Sequence, residues 1–214
     1  MGAPTIDSIV IADSPESWRA GGFTVDDDGT CRVGQVRIEL VGRDAGKRIL
    51  RWSLRDLPDD LDGVDGLPTT RSDRDPCEPA THANGATYID HVVIASPDVD
   101  RTVAALGALG IEPSLSRDIP SEQYGFEARQ VFFRLGEVIL ELVGGRDAGA
   151  EGPASFFGLA HTVADLDATA AALGPDLLPN VKDAVQPGRR IATLRHKLVD
   201  MSVATAFMSR ESSA

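Results

Sequence analysis

Short runs in which apolar and polar residues alternate dominate this chain, the two-residue period of strands that lie with one face on a core. Residues 89–95, 129–135 and 138–143 carry that alternation together with β-branched and aromatic side chains, and read as strands. Gly136-Glu137 between the last two predicts a tight hairpin turn. Residues 158–163, 190–194 and 201–208 give further strands. Helical spacing is rarer. Val99, Val103 and Leu106 follow Ser96-Pro97, which predicts Ser96 as the N-cap, Pro97 in the first turn and Gly110 as the stop. A second helix is predicted over 165–173, with Gly174 as its cap. Residues 117–126, with Pro120, Tyr124 and Gly125, read as a loop, and Gly144-Gly145 as a turn.

The pattern repeats. Ile6-Asp7-Ser8-Ile9-Val10-Ile11-Ala12 returns as Ile89-Asp90-His91-Val92-Val93-Ile94-Ala95, and Ile38-Glu39-Leu40-Val41-Gly42 as Leu140-Glu141-Leu142-Val143-Gly144. Asp56-Leu57 has its counterpart in Asp165-Leu166. The order is kept while the offset grows, so the chain reads as a duplication. Residues 1–70 form a shortened copy, 71–86 a linker without apolar periodicity, and 87–209 a complete copy. The shortening falls on the first copy's helix, which is reduced to the stretch 16–22.

Composition narrows the partners. With 21 basic against 33 acidic side chains the net charge is −12, which disfavours a phosphate backbone or an anionic membrane surface. No apolar run is long enough for a membrane helix. The two cysteines lack metal-type spacing and are too few for a disulfide framework, which points to a reducing cytoplasm.

The unit β-α-β-β-β, opening on Ile89-Asp90-His91-Val92-Val93-Ile94 and carrying Leu140-Glu141-Leu142 on its fourth strand, resembles the vicinal oxygen chelate superfamily. That superfamily includes glyoxalase I, extradiol dioxygenases and bleomycin-resistance proteins. The stretches Arg129-Gln130-Val131-Phe132-Phe133-Arg134-Leu135-Gly136 and Val185-Gln186-Pro187-Gly188-Arg189-Arg190-Ile191-Ala192 are similar to bacterial glyoxalase-like proteins of undefined substrate. The resemblance implies an α+β fold of tandem βαβββ modules, whose curved mixed sheets form cups with helices outside. It also implies a small-molecule ligand, and it allows a homodimer.

Carried over residue by residue, the resemblance places metal ligands at His91, Glu141 and His161. The fourth position falls near Thr205, where no carboxylate is present. Two imidazoles and one carboxylate suit a divalent Fe, Mn, Ni or Zn with open positions. The first copy has Ser8 and Trp52 in place of the two histidines, so it should hold no metal. A carboxylate in the apolar stretch 139–142 could instead be satisfied by an arginine, with Arg129, Arg134, Arg189 and Arg190 as candidates. Gln186, Arg189 and Arg190 are expected at the rim of the cup as substrate-binding residues, and Tyr124 and Phe126 in a loop covering it. His82, in the linker, and His196, near Arg195 and Lys197, have no visible partner in the sequence. Two readings stand. One is a metal-dependent lyase, isomerase or dioxygenase, short of the four-ligand glyoxalase I site; the other is a metal-free small-molecule binding or resistance protein.

Overall fold

The computed structural model describes residues 2–58, 63–120, 127–145 and 150–210. The chain divides into two compact units, and each takes strands from both halves of the sequence. The first comprises Met1–Asp7, Arg51–Asp75 and His91–Phe157; the second Ser8–Leu50, Pro76–Asp90 and Gly158–Ala214. Strands β1 (Thr5–Ile11), β4 (Ile49–Arg55), β6 (Ala86–Ser96) and β10 (Ser155–Val163) contribute residues to both.

In the first unit, the later part of β6 leads into helix α2 (Val99–Gly107), then β7 (Pro113–Ile119), β8 (Ala128–Leu135) and β9 (Val138–Gly145). The strand order is β6-β9-β8-β7, with β6 and β9 parallel and the other pairs antiparallel. Val92, Ile94, Val131, Phe133, Leu140 and Leu142 are buried and share one face by register. Helix α2 lies on that face. At Gly144 a Cβ would stand 2.3 Å from the Ser96 carbonyl oxygen and 2.6 Å from Val99 Cγ2, so β9 approaches the helix start too closely for a side chain. The glycine pair read as a turn is thus the end of a strand.

Two other elements depart from expectation. Helix α2 is capped by Asp98, which accepts from the Arg101 N–H at 3.0 Å. The Ser96 hydroxyl is engaged earlier, accepting from the Asp98 N–H and donating to the Asp98 carbonyl, so Pro97 stays outside the helix. Strand β7 replaces the first residues of the expected loop. Its sequence, PSLSRDI, shows no alternation and is mostly exposed on both faces; backbone pairing with β8 defines it, and its proline falls at the start of an edge strand.

The same unit contains the first residues of β1, the later part of β4, and β5 (Thr69–Arg71). They centre on Asp7, whose carboxylate is fully buried. It accepts from Arg55 Nη2 (2.8 Å), Arg74 Nε (2.8 Å), Ser72 Oγ (2.7 Å) and Ser53 Oγ (3.2 Å).

The second unit holds the rest of β1, helix α1 (Pro15–Ala20), β2 (Thr30–Val33) and β3 (Val36–Leu40), in the order β2-β3-β1. Its β1–β3 register parallels that of the β6–β9 pair in the first unit. Val10 pairs with Glu39 as Val93 pairs with Glu141, both in parallel. The unit also holds β10, helix α3 (Leu166–Leu177), β11 (Val181–Asp183), β12 (Arg190–Thr193) and β13 (Ala204–Met208), with the beginning of β6 alongside β10. Asp165 caps α3, and Gly174, at φ 77°, breaks its helical path as the sequence predicts.

The segment read as a linker is pinned at several points. Ser72 and Arg74 serve Asp7 in the first unit. In the second, the Ala80 N–H donates to the Arg32 carbonyl, and His82 accepts from the Thr24 N–H through Nδ1 while its Nε2 lies 3.1 Å from the Arg32 carbonyl. Burial pushes the His82 imidazole below its ordinary pKa, against the raising effect of that carbonyl.

At Asp7, burial alone would raise the pKa, but hydrogen bonds from Ser72 and Arg74 and the charges of Arg74 and Arg55 bring it below 3.8. A carboxyl depressed in the fold contributes its full stability above the unfolded value and loses it as pH falls through the native one. Urea midpoints measured from pH 6 downward should therefore fall most steeply below about pH 4, and Asp7→Asn should flatten that acid limb while lowering the midpoint at neutral pH. An unchanged acid limb in the variant would remove Asp7 from the account.

Candidate functional site

The face of the first unit's sheet opposite α2 carries the polar chemistry. Alternation along β6 sends His91, Val93 and Ala95 to this face, each half-buried. Register then adds Ile139, Glu141 and Val143 from β9, and Gln130, Phe132 and Arg134 from β8. Strand β7 brings Arg117 opposite Gln130 and Leu115 opposite Phe132. His91 and Glu141 come together as the sequence anticipates. His91 Nε2 lies 3.4 Å from Glu141 Oε2, and the two side chains are 14% and 13% exposed. That separation is within ion-pair reach and longer than an ordinary N–H···O hydrogen bond.

Glu141 is satisfied by an amide rather than an arginine. Gln130 Nε2 donates to Glu141 Oε1 at 2.5 Å, and Arg117 Nε donates to Gln130 Oε1 at 2.7 Å. The two contacts fix the orientation of the amide, because a flipped Gln130 would turn its carbonyl on the carboxylate and its NH₂ on the guanidinium. Gln130 is itself buried, so the chain Arg117–Gln130–Glu141–His91 rests on a held residue. The Arg117 guanidinium also stands over the Phe132 ring, 5.3 Å from its centroid. Chemically, the arrangement offers a carboxylate-flanked imidazole at one end and a stacked cation at the other, with apolar side chains between.

The three expected ligands sit in different surroundings. Among the described residues, no three His, Cys, Asp or Glu side chains gather closely enough to hold an ion. One oxygen of Glu141 is already bound to Gln130, and at the fourth position the Thr205 hydroxyl donates to the Val203 carbonyl. His161, on β10 in the second unit, is fully buried in an aromatic cluster. Its ring centroid lies 5.0 Å from Phe23, 6.0 Å from Phe207 and 6.4 Å from Trp18.

The arginines expected at a rim have internal partners. Arg189 is buried and pairs with the buried Asp90 through Nη1 and Nη2. Its Nε donates to the Ser209 carbonyl, and Thr162 donates to the same Asp90 carboxylate. Arg190 makes two contacts to Asp167 at the surface, at 3.0 and 2.7 Å. Arg129 pairs with Asp100 of α2, on the helix side of its sheet. Gln186 is part of the turn before β12, its carbonyl accepting from the Arg189 N–H. Tyr124 and Phe126 lie outside the described residues. His196 Nδ1 lies 2.8 Å from the Met201 carbonyl.

Sequence reasoning passed over Gln130 and Arg117. A glutamine at an alternating position of β8 gives no cue that it is buried. The available signal was cross-strand: in a hairpin turning at Gly136-Glu137, counting back places Gln130 and Glu141 on one face of neighbouring strands.

Residues 90–192 match the family model of the Glyoxalase/Bleomycin resistance protein/Dioxygenase superfamily. Among solved structures, a mutant of 4-hydroxymandelate synthase from Streptomyces coelicolor is similar over 100% of this chain and 94% of its own, at 14% identity and a TM-score of 0.66. A xylose isomerase-like TIM barrel/4-hydroxyphenylpyruvate dioxygenase fusion protein is similar over 100% of this chain and 49% of its own, at 12% identity and a TM-score of 0.64. Methylmalonyl-CoA epimerase from Mycobacterium tuberculosis covers 58% of this chain and 89% of its own, at 19% identity and a TM-score of 0.46. At these identities the likeness is one of fold. No curated protein sequence matches the chain.

The placement of the two neighbouring arginines is testable by stability. Asp90→Ala, which strands a buried guanidinium, should cost about 3–5 kcal/mol in denaturant unfolding. Arg190→Ala, at an exposed pair, should leave the midpoint unchanged. Equal effects would show that the two arginines do not differ in this way.

Proposed function

We propose that this chain, whose residues 90–192 match the model of the Glyoxalase/Bleomycin resistance protein/Dioxygenase superfamily, binds a small organic molecule on the His91–Glu141 face of the first unit without a resident metal. One observation carries this reading. The hydrogen-bonded chain Arg117–Gln130–Glu141, with His91 within ion-pair reach of its end, runs across a sheet face whose other side chains are largely apolar and partly open. Buried or half-buried polar groups cost stability unless they are satisfied. Here they are satisfied by one another while the imidazole and the cation stay within reach of solvent. An apolar lining with a few convergent polar groups is the usual composition of a small-ligand site.

The metal-dependent reading needs His91, Glu141 and His161 as joint ligands. The aromatic setting of His161 favours the metal-free one. His91 would then act through hydrogen bonding to ligand, with Glu141 orienting its ring, rather than through coordination.

Elemental analysis of protein purified without chelators should find well under one equivalent of any divalent metal, and EDTA should leave the thermal midpoint unchanged. Stoichiometric metal that disappears in both His91→Ala and His161→Ala, with the fold intact by circular dichroism, would overturn the metal-free reading. Ligand screening by NMR should perturb the His91, Gln130 and Phe132 resonances together.

A further inference from the structure

We infer that Arg117 is the anion-recognising residue of this face, and that its ligand carries a carboxylate or a similarly planar anionic group. The inference rests on the small-molecule reading above and specifies the chemistry of the ligand. Most of the arginines described so far are matched to a carboxylate within the fold. Arg55 and Arg74 serve Asp7, Arg101 serves Asp65, Arg129 serves Asp100, Arg189 serves Asp90 and Arg190 serves Asp167. Arg117 is different. Its Nε is bound to a neutral amide oxygen and its guanidinium carbon stands over the Phe132 ring, 5.3 Å from the centroid. Among the described residues, no acceptor lies within hydrogen-bond distance of its Nη atoms.

These contacts organise the guanidinium before any ligand arrives. The Nε bond and the ring beneath it hold the plane, so little rotamer freedom is left to lose on binding. The two Nη groups form a planar edge whose parallel N–H bonds match the two oxygens of a carboxylate. Phe132 and Leu115, the latter 58% exposed, supply apolar surface beside that edge for the ligand's body. Arg134, exposed on the same face two residues beyond Phe132, adds positive potential. Among the described residues, the carboxylate on this face that the register places near Arg117 is Glu141, and the Gln130 amide stands between them. An incoming anion therefore meets the cation first.

The test uses benzoate and benzamide, which share a shape and differ in charge, titrated into the full chain while the side-chain amide of Gln130 and the imidazole of His91 are followed by NMR. Benzoate should give a saturable shift at both sites and bind roughly tenfold or more tightly than benzamide, as a charge-assisted bidentate pair exceeds a neutral contact. Arg117→Gln should abolish that preference, and Arg117→Lys should restore it only in part, since an ammonium keeps the charge and loses the fork. Equal binding of the two probes, or a preference that survives Arg117→Gln, would overturn the inference while leaving a small-molecule face in place. Failure of both probes to move any resonance of the face would count against the inference and the underlying reading together. Backbone spectra of the variants that overlay on the wild type establish that the fold is retained.

Discussion

Parallel pairing between the first and last strands of the βαβββ module is the constraint on which the site depends. It aligns His91 with Ile139 and Val93 with Glu141, so the imidazole and the carboxylate sit diagonally on one face. Side chains in a strand alternate with a period of two, and a slip of one residue would send Glu141 into the apolar layer under α2. Parallel strands cannot be joined by a tight hairpin, so the crossover through α2 is obligatory. The helix buries Val99, Thr102 and Leu106, and β9 meets its start at Gly144. The apolar layer therefore sets the register, and the register assembles the polar face on the other side.

Buried aspartates do the complementary work of tying distant segments together. Asp13 accepts from Trp18 Nε1 and from the Ser202 N–H, holding helix α1 and the approach to β13 in the second unit. Asp7 gathers β1, β4 and the segment after β5, and Asp90 binds Arg189 across β6 and the turn before β12. Each of these carboxylates has several donors, which is the condition under which a charge can be buried at all. The net charge of −12 conceals this division: among the described residues these few aspartates are buried with several donors each, while others, such as Asp98 and Asp165, cap helices.

Strands with one apolar face were legible in the sequence, and so was the repeat, whose Glu39 and Glu141 occupy matching registers in their own modules. Strand β7 was not, because an edge strand with polar residues on both faces leaves no periodicity to read. The cap of α2 was misplaced by two residues, since Ser96 and Asp98 are both good caps and only the local hydrogen bonds decide between them. Half of the candidate site was legible through His91 and Glu141. The other half was hidden for a physical reason: what satisfies a carboxylate depends on its cross-strand neighbour, and linear sequence does not display that neighbour.

The choice of partner for Glu141 shapes the chemistry of the whole face. An arginine in direct contact would have cancelled the carboxylate and removed a cation from service. A glutamine satisfies one oxygen without neutralising it and passes its own acceptor on to Arg117. Opposite charges are thus kept apart by one neutral amide, positive toward the β7 edge and negative toward β9. In a partly desolvated setting such a separation is felt more strongly than it would be in water. A molecule lying along the strands' hydrogen-bonding direction would experience that gradient from end to end. It would be held best if it were anionic where it meets Arg117 and able to donate or share a proton where it meets the imidazole and carboxylate. Phe132 beside Arg117 and Ile139 opposite His91 supply apolar surface at the two ends of that path.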